Sequence, residues 1–191
     1  NSFSGDGVSG VYIFGMQLEE QPFATSYIPT TGSAVTRSQD TAFKSGLSSY
    51  ISSTAGVLYA EFAALSNEPY VYYKVMSLGN GINNSSTIIL GFTSTNAIYA
   101  NVGGTFITSV LPADVTTFHK VAIKYEDNNS KLFVDGVQVG ATNTTATVPS
   151  GLTRLGFDSG LGGSKFHVKT KDVRVYNTVL TDLELQNLTT I

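Results

Sequence analysis

Residues 118–139, FHKVAIKYEDNNSKLFVDGVQV, read as a strand, a polar turn, a second strand and a tight hairpin. Val121, Ile123 and Tyr125 share one parity, as the period-two rule for a half-buried strand requires. The turn Asp127-Asn128-Asn129-Ser130 leads into Leu132 and Val134. Asp135-Gly136 then supplies two adjacent residues that tolerate φ > 0, which closes a two-residue hairpin onto Val137 and Val139.

The same alternation extends outward in both directions. Leu58, Ala60, Phe62 and Ala64 are placed toward a core, with Tyr59 and Glu61 outward. Val71, Tyr73 and Val75 take one side of the next strand, and Tyr70, Tyr72 and Lys74 the other, read as outward. Ile88, Leu90 and Phe92, then Ile98, Ala100 and Val102, continue the series. Further on, Phe166 and Val168 share one parity and Val173 and Val175 the other, so a bulge or bend is expected between Val168 and Val173. Thr181-Asp182-Leu183-Glu184 has the form of a capping box, with Leu180 and Leu185 as its hydrophobic staple, and predicts one short helix near the end of the chain. The expectation is an all-β, two-sheet antiparallel jelly-roll sandwich over residues 41–191 with one short C-terminal helix. Residues 1–40 differ: a Gly/Ser-rich start, one apolar strand Val11-Tyr12-Ile13-Phe14, then a polar stretch with Pro22 and Pro29. They read as a connecting arm, and its strand either belongs to the arm or completes the sandwich.

Composition narrows the function classes. Charged residues are 13% of the 191, and the formal net charge is -3, so the chain carries no electrostatic footprint for nucleic acid. No apolar run approaches the roughly 20 residues that span a bilayer, so no membrane insertion is expected. With no cysteine, disulfides are excluded, which favours folding in a reducing bacterial cytoplasm. A start at Asn1 reads as a fragment or a processed product.

The closing stretch Val173-Arg174-Val175-Tyr176-Asn177-Thr178-Val179-Leu180-Thr181-Asp182-Leu183-Glu184-Leu185 resembles the C-terminal signature of laminin-G-like, concanavalin A-like domains. The pair from Phe118-His119-Lys120-Val121-Ala122-Ile123 to Leu132-Phe133-Val134-Asp135-Gly136 is similar to that family's central hairpin, with His119 where an aromatic is usual. A third segment, Gly15-Met16-Gln17-Leu18-Glu19-Glu20 with Ala24-Thr25-Ser26-Tyr27-Ile28-Pro29-Thr30 and Val35-Thr36-Arg37, resembles the connecting motif of bacteriophage tail and fibre proteins that carry such domains. The resemblance implies the sandwich fold. Function does not follow from it, because the same sandwich serves lectins, glycosidases, lyases and structural modules.

Catalysis on this scaffold needs grouped acids. The glycosidases that resemble it carry Glu-x-Asp-x-x-Glu on one strand, so that two carboxylates face one cleft. Here Glu61, Glu68, Asp114, Asp135, Asp158 and Asp172 are scattered singly, and no lyase-type Arg/Glu strand motif appears. His119 and His167 are the only imidazoles, too few for a zinc site; His119 reads as structural and His167 as a solvated strand residue. The resemblance raises one cofactor, calcium at a loop rim, with Asn83 and Asp158 as the metal candidates beside Asn80 and Asn84; ordinary turns are the alternative.

Sugar binding needs an aromatic face to stack on a pyranose and planar amides to bond its hydroxyls. Tyr70, Tyr72, Tyr99 and Asn101 are the candidate contacts, provided their two strands are neighbours. The sequence therefore points to a non-catalytic, lectin-like domain binding a glycan or polysaccharide, at a virion surface or outside the cell. Its other expected partners are virion or fibre proteins, with homo-oligomerisation open. The rival from another class is a structural or oligomerisation module of a fibre, and a polysaccharide lyase or glycosidase stands third.

Overall fold

The computed structural model describes residues 4–18, 26–33, 35–36, 41–67, 73–83 and 86–191. The chain divides into two units, Asn1–Asp40 and Thr41–Ile191.

Among the described residues of the first unit there is no helix or strand, so residues 11–14 join no ladder. What order there is comes from side chains. The Phe14 and Tyr27 rings lie 5.5 Å apart, Ile28 N donates to Gln17 Oε1 at 3.0 Å, and the Asp6 carboxylate accepts from the Val8 and Ser9 amides.

The second unit is a sandwich of two antiparallel sheets, as the alternation predicts. Its described strands are β1 (Phe43–Lys44), β2 (Ala55–Ala64), β3 (Lys74–Gly79), β4 (Thr87–Phe92), β5 (Ile98–Val102), β6 (Thr105–Val110), β7 (His119–Glu126), β8 (Ser130–Val134), β9 (Val137–Asn143), β10 (Arg154–Gly156) and β11 (Val168–Tyr176). One helix, α1 (Asp182–Thr189), follows. One sheet runs β1-β10-β3-β4-β5-β6 and the other β11-β2-β7-β8-β9. Leu58, Phe62, Met76, Leu90, Phe92, Ile123 and Leu132 meet between them in one core, where Phe62 packs edge-on to Phe92 at 5.1 Å. Among the described residues no helix is long and apolar enough to cross a membrane.

Several local expectations hold. Val134 pairs with Val137, and Asp135 and Gly136 adopt φ of 50° and 82°, the two-residue turn whose twist suits a hairpin. The β11–β2 register slips between Thr170 and Asp172, so Lys171 is the extra residue that reconciles Val168 with Val173. That bulge lies on the edge strand of its sheet, among Lys169, Asp172 and Arg174. Thr181 accepts from Glu184 N while the Glu184 carboxylate accepts from Thr181 N at 2.8 Å, completing the capping box. The helix lays Leu185 on Val57, Tyr59, Ala122 and Phe133, the outer face of the five-stranded sheet.

Two expectations need correction. Lys74 does not point outward: it pairs with Phe92, shares the inner parity of Met76 and Leu78, and is 5% exposed. The lysine stem lies against Phe92 and its ammonium donates to Asn96 Oδ1, so the charge is met without leaving the sandwich end. Tyr73 takes the outward side instead. Nor are β3, which begins just after Tyr73, and β5, which carries Tyr99 and Asn101, the neighbours that a strip of Tyr70, Tyr72, Tyr99 and Asn101 required, since β4 lies between them.

Candidate functional site: the outer face of the six-stranded sheet

Helix α1 packs on one outer face of the sandwich; the other outer face collects polar and aromatic groups. Across its middle, ladder pairing sets Phe43, Gly156, Ser77, Ile89, Asn101 and Phe106 at one level. The next level holds Val75, Gly91 and Tyr99.

At one end of this face β10 presents Arg154. The chain turns after Gly156 and brings Asp158 back to it, with Arg154 Nη1 and Nη2 donating to the two carboxylate oxygens at 2.9 and 2.7 Å. A Cβ at position 156 would stand 2.2 Å from Arg154 Nη1 and 2.9 Å from Asp158 Oδ1, so glycine alone lets the pair lie on the strand. The guanidinium is 4.5 Å over the Phe43 ring. Arg154 is 8% and Asp158 1% exposed. Burial pushes the Asp158 carboxyl up, but hydrogen bonds from Arg154 and Gly160 N, with the charges of Arg154 and Lys165, outweigh it and hold the group below its usual value. Nearby, Ser77 Oγ is the one buried side-chain polar atom without a hydrogen-bond partner among the described residues.

Toward the other end Tyr73 and Tyr99 meet edge to face, ring centroids 5.2 Å apart. Gly91 on the intervening strand puts no side chain at that level. Tyr99 is 7% exposed and Tyr73 44%, so the first buttresses the second. Burial, with Tyr73 adding to it, pushes the Tyr99 phenol well above its ordinary range.

The sequence candidates distribute as follows. Tyr70 and Tyr72 lie outside the described residues. Tyr99 and Asn101 share the outer face of β5, but Tyr99 is covered, and Asn101 Oδ1 accepts from Gly104 N at 3.0 Å to cap the β5–β6 turn. Asn83 Oδ1 accepts from Ser86 N at 2.7 Å, and Asn80 Oδ1 from Ile82 N at 2.9 Å, both within the β3–β4 loop. Each Asp158 oxygen is held by Arg154, and Oδ1 also accepts from Gly160 N. As arranged, this donor set does not suit calcium, because the carboxylate faces a guanidinium. Among the described residues no three His, Cys, Asp or Glu side chains gather as metal ligands. Sequence reasoning passed over Tyr73 and Arg154. The inner parity of Met76 and Leu78 was the available signal for Tyr73; Arg154, in a three-residue strand, gave none.

The acids and imidazoles are engaged structurally. His119 Nδ1 meets Asp135 Oδ2 at 2.6 Å and Nε2 meets the Asp114 carbonyl at 2.9 Å, so one ring nitrogen ties β7 to the turn after β8 and the other to the loop before β7. Glu61 pairs with Lys171, Glu126 with Lys124, Asp172 with Arg174 and Asp182 with Lys131. Asp127 accepts from Val148 N, and Asp114 from the Thr116 amide and hydroxyl.

Comparison with known proteins adds to this geometry. A family model described as the concanavalin A-like lectin/glucanases superfamily matches residues 46–186. No curated protein matches the chain. Among solved structures, the Ruminococcus gnavus IT-sialidase CBM40 bound to alpha2,3 sialyllactose is similar with a TM-score of 0.54 and 21% identity, over 73% of this chain and 84% of that one. Trypanosoma rangeli sialidase gives 0.55 and 16% over 71% and 22% of the two chains, and a leech intramolecular trans-sialidase 0.51 and 18% over 73% and 24%. The chain thus spans about a quarter of the length of those two sialidases. At these identities the likeness is one of fold.

Proposed function

Because the chain belongs to the concanavalin A-like lectin/glucanase superfamily, we propose that it is a non-catalytic glycan-binding domain whose contact surface is the outer face of the six-stranded sheet. The observation that carries this reading is the Tyr73–Tyr99 pair: a half-exposed ring, held edge-on by a buried one, on the same face as Asn101. A ring fixed in this way offers its face to a pyranose with little further ordering cost. Tyr70 and Tyr72 remain proposed contacts of the same surface. The IT-sialidase CBM40, which has this fold, is bound to sialyllactose, and this supports a glycan as the ligand class. The non-catalytic reading is supported by the carboxylate side chains, since those described each meet a basic side chain or accept a hydrogen bond from a turn, a loop or a helix cap.

The setting we propose is a phage tail, fibre or capsid-surface protein, at the virion surface or outside the cell. Its support is the likeness of residues 15–37 to the connecting segments of such proteins. Several copies on one particle would raise avidity without new contacts. A calcium-assisted mode at Asn83 and Asp158 is the alternative within this function, and it requires Asp158 to exchange Arg154 for the cation. The docking or oligomerisation reading is favoured by exposed Phe106 on edge strand β6 and by Leu111 just beyond it.

The test is a glycan-array screen with and without calcium, followed by calorimetric titration of the selected glycan. Losing one stacked ring removes a contribution on the order of 1 kcal/mol, so Tyr73→Ala should weaken binding several-fold. Asn101→Ala should weaken it less. An affinity unchanged in both variants sinks the proposed surface, and an array with no hit above background sinks the function.

A further inference from the structure

Lys74 and Asn96 meet at one end of the sandwich, away from the Tyr73–Tyr99 face. Lys74 opens β3 opposite Phe92, and Asn96 lies in the turn that follows β4. Lys74 Nζ donates to Asn96 Oδ1 at 2.6 Å, with the Phe92 ring centroid 5.7 Å from the nitrogen. Lys74 is 5% exposed and Asn96 3%.

The amide is fixed from every side. Asn96 N donates to Thr93 O at 3.1 Å and Thr93 N to Ala97 O at 2.8 Å, and the residue holds φ of 63°, a left-handed conformation that asparagine tolerates better than most. Asn96 Nδ2 donates to Asn67 O at 2.9 Å, so the amide nitrogen is turned away from the lysine and the carbonyl toward it. The Asn67 side chain in turn donates to Asp114, which anchors that carbonyl.

A primary amine held against a primary amide in a water-poor site is the arrangement for intramolecular acyl transfer. Proximity of this kind replaces a bimolecular encounter, and lysine is a nucleophile once burial favours its neutral form. Burial lowers the Lys74 ammonium below its ordinary value.

We propose that Lys74 and Asn96 form an isopeptide cross-link. The neutral Nζ lone pair adds to Asn96 Cγ, a proton passes from Nζ to Nδ2, and the Cγ–Nδ2 bond breaks with release of ammonia. One amide is exchanged for another, so no oxidant, cofactor or energy source is consumed. The product ties the start of β3 to the turn after β4 and closes that end of the six-stranded sheet covalently.

The experiment is intact-mass spectrometry of the full chain under denaturing conditions, with tryptic mapping. The expected mass is that of the sequence less one ammonia. Trypsin should fail to cut after Lys74 and should release residues 45–120 as one peptide, one ammonia lighter than its sequence, with Lys74 and Asn96 joined in an internal loop. Lys74→Arg and Asn96→Ala should each restore the full mass. The wild-type peptide map stands alone if either variant fails to fold. The full sequence mass with cleavage after Lys74 overturns the proposal. So does an ammonia loss that maps to a succinimide at Asn80-Gly81 and is cleaved by hydroxylamine. Neither result bears on glycan binding, which involves a different face.

Discussion

The two outer faces of the sandwich solve the same problem in opposite ways. On the five-stranded sheet, Val57, Tyr59, Ala122 and Phe133 form an apolar patch over which α1 lays Leu185. Burial there needs only area and volume. On the six-stranded sheet the covered groups beside Val75 include Arg154, Asp158 and Tyr99, each met by a partner or a ring, and Ser77, whose hydroxyl meets none among the described residues. Under α1 the first face is closed by the hydrophobic effect, whereas the second is held largely by directional contacts.

The comparison breaks most visibly at Asp158. Removing one member of a buried ion pair strands the other charge, so Asp158→Ala should cost about 3 to 5 kcal/mol in urea unfolding. A loss under about 1 kcal/mol would make it equivalent to an exposed pair and erase the contrast. The folded Asp158 carboxyl is held below its unfolded value, so its contribution is present above the unfolded carboxylate range and is lost as pH falls through the folded value. Melting temperature should therefore drop below about pH 4, and Asp158→Asn should flatten part of that dependence.

On the opposite face Leu185→Ala should cost about 2 to 5 kcal/mol, with glycan affinity unchanged, because α1 covers a patch remote from Tyr73. Thr181→Ala, which removes the helix cap, should cost about 1 kcal/mol, read as a small fall in melting temperature. Tyr73→Ala should be the gentlest change to the fold, within about 0.5 kcal/mol of wild type, although it touches the proposed contact surface. A destabilisation as large as that of Leu185→Ala would mean that Tyr73 is a packing residue.

Where burial alone decides, the residues announced the structure. The 118–139 hairpins, the parity break resolved at Lys171 and the capping box at Thr181 were legible because each rests on local periodicity or on one turn's chemistry. Strands β1, β6 and β10 were not, being short or polar on the side that alternation would have to mark. Lys74 was misread because a charged residue normally marks the outward face, and only its amide partner 22 positions away reverses that. The Arg154–Asp158 pair depends on a chain reversal after Gly156 that no periodicity encodes. Of the six site residues expected, Tyr99 and Asn101 share one outer face, Asn83 and Asp158 are taken up by a turn and an ion pair, and Tyr70 and Tyr72 lie outside the described residues.

The bulge at Lys171 has a consequence for how copies of the chain coexist. Strand β11 ends its sheet, and a flat edge strand offers a row of open amides and carbonyls on which a neighbouring molecule could add its own strand. Here the extra residue breaks the repeat of that row midway, and Lys169, Lys171, Asp172 and Arg174 surround the break with charge. An incoming strand would lose register after a few residues and would have to desolvate those ions to continue. Crowded molecules can therefore stand side by side without fusing into a continuous sheet.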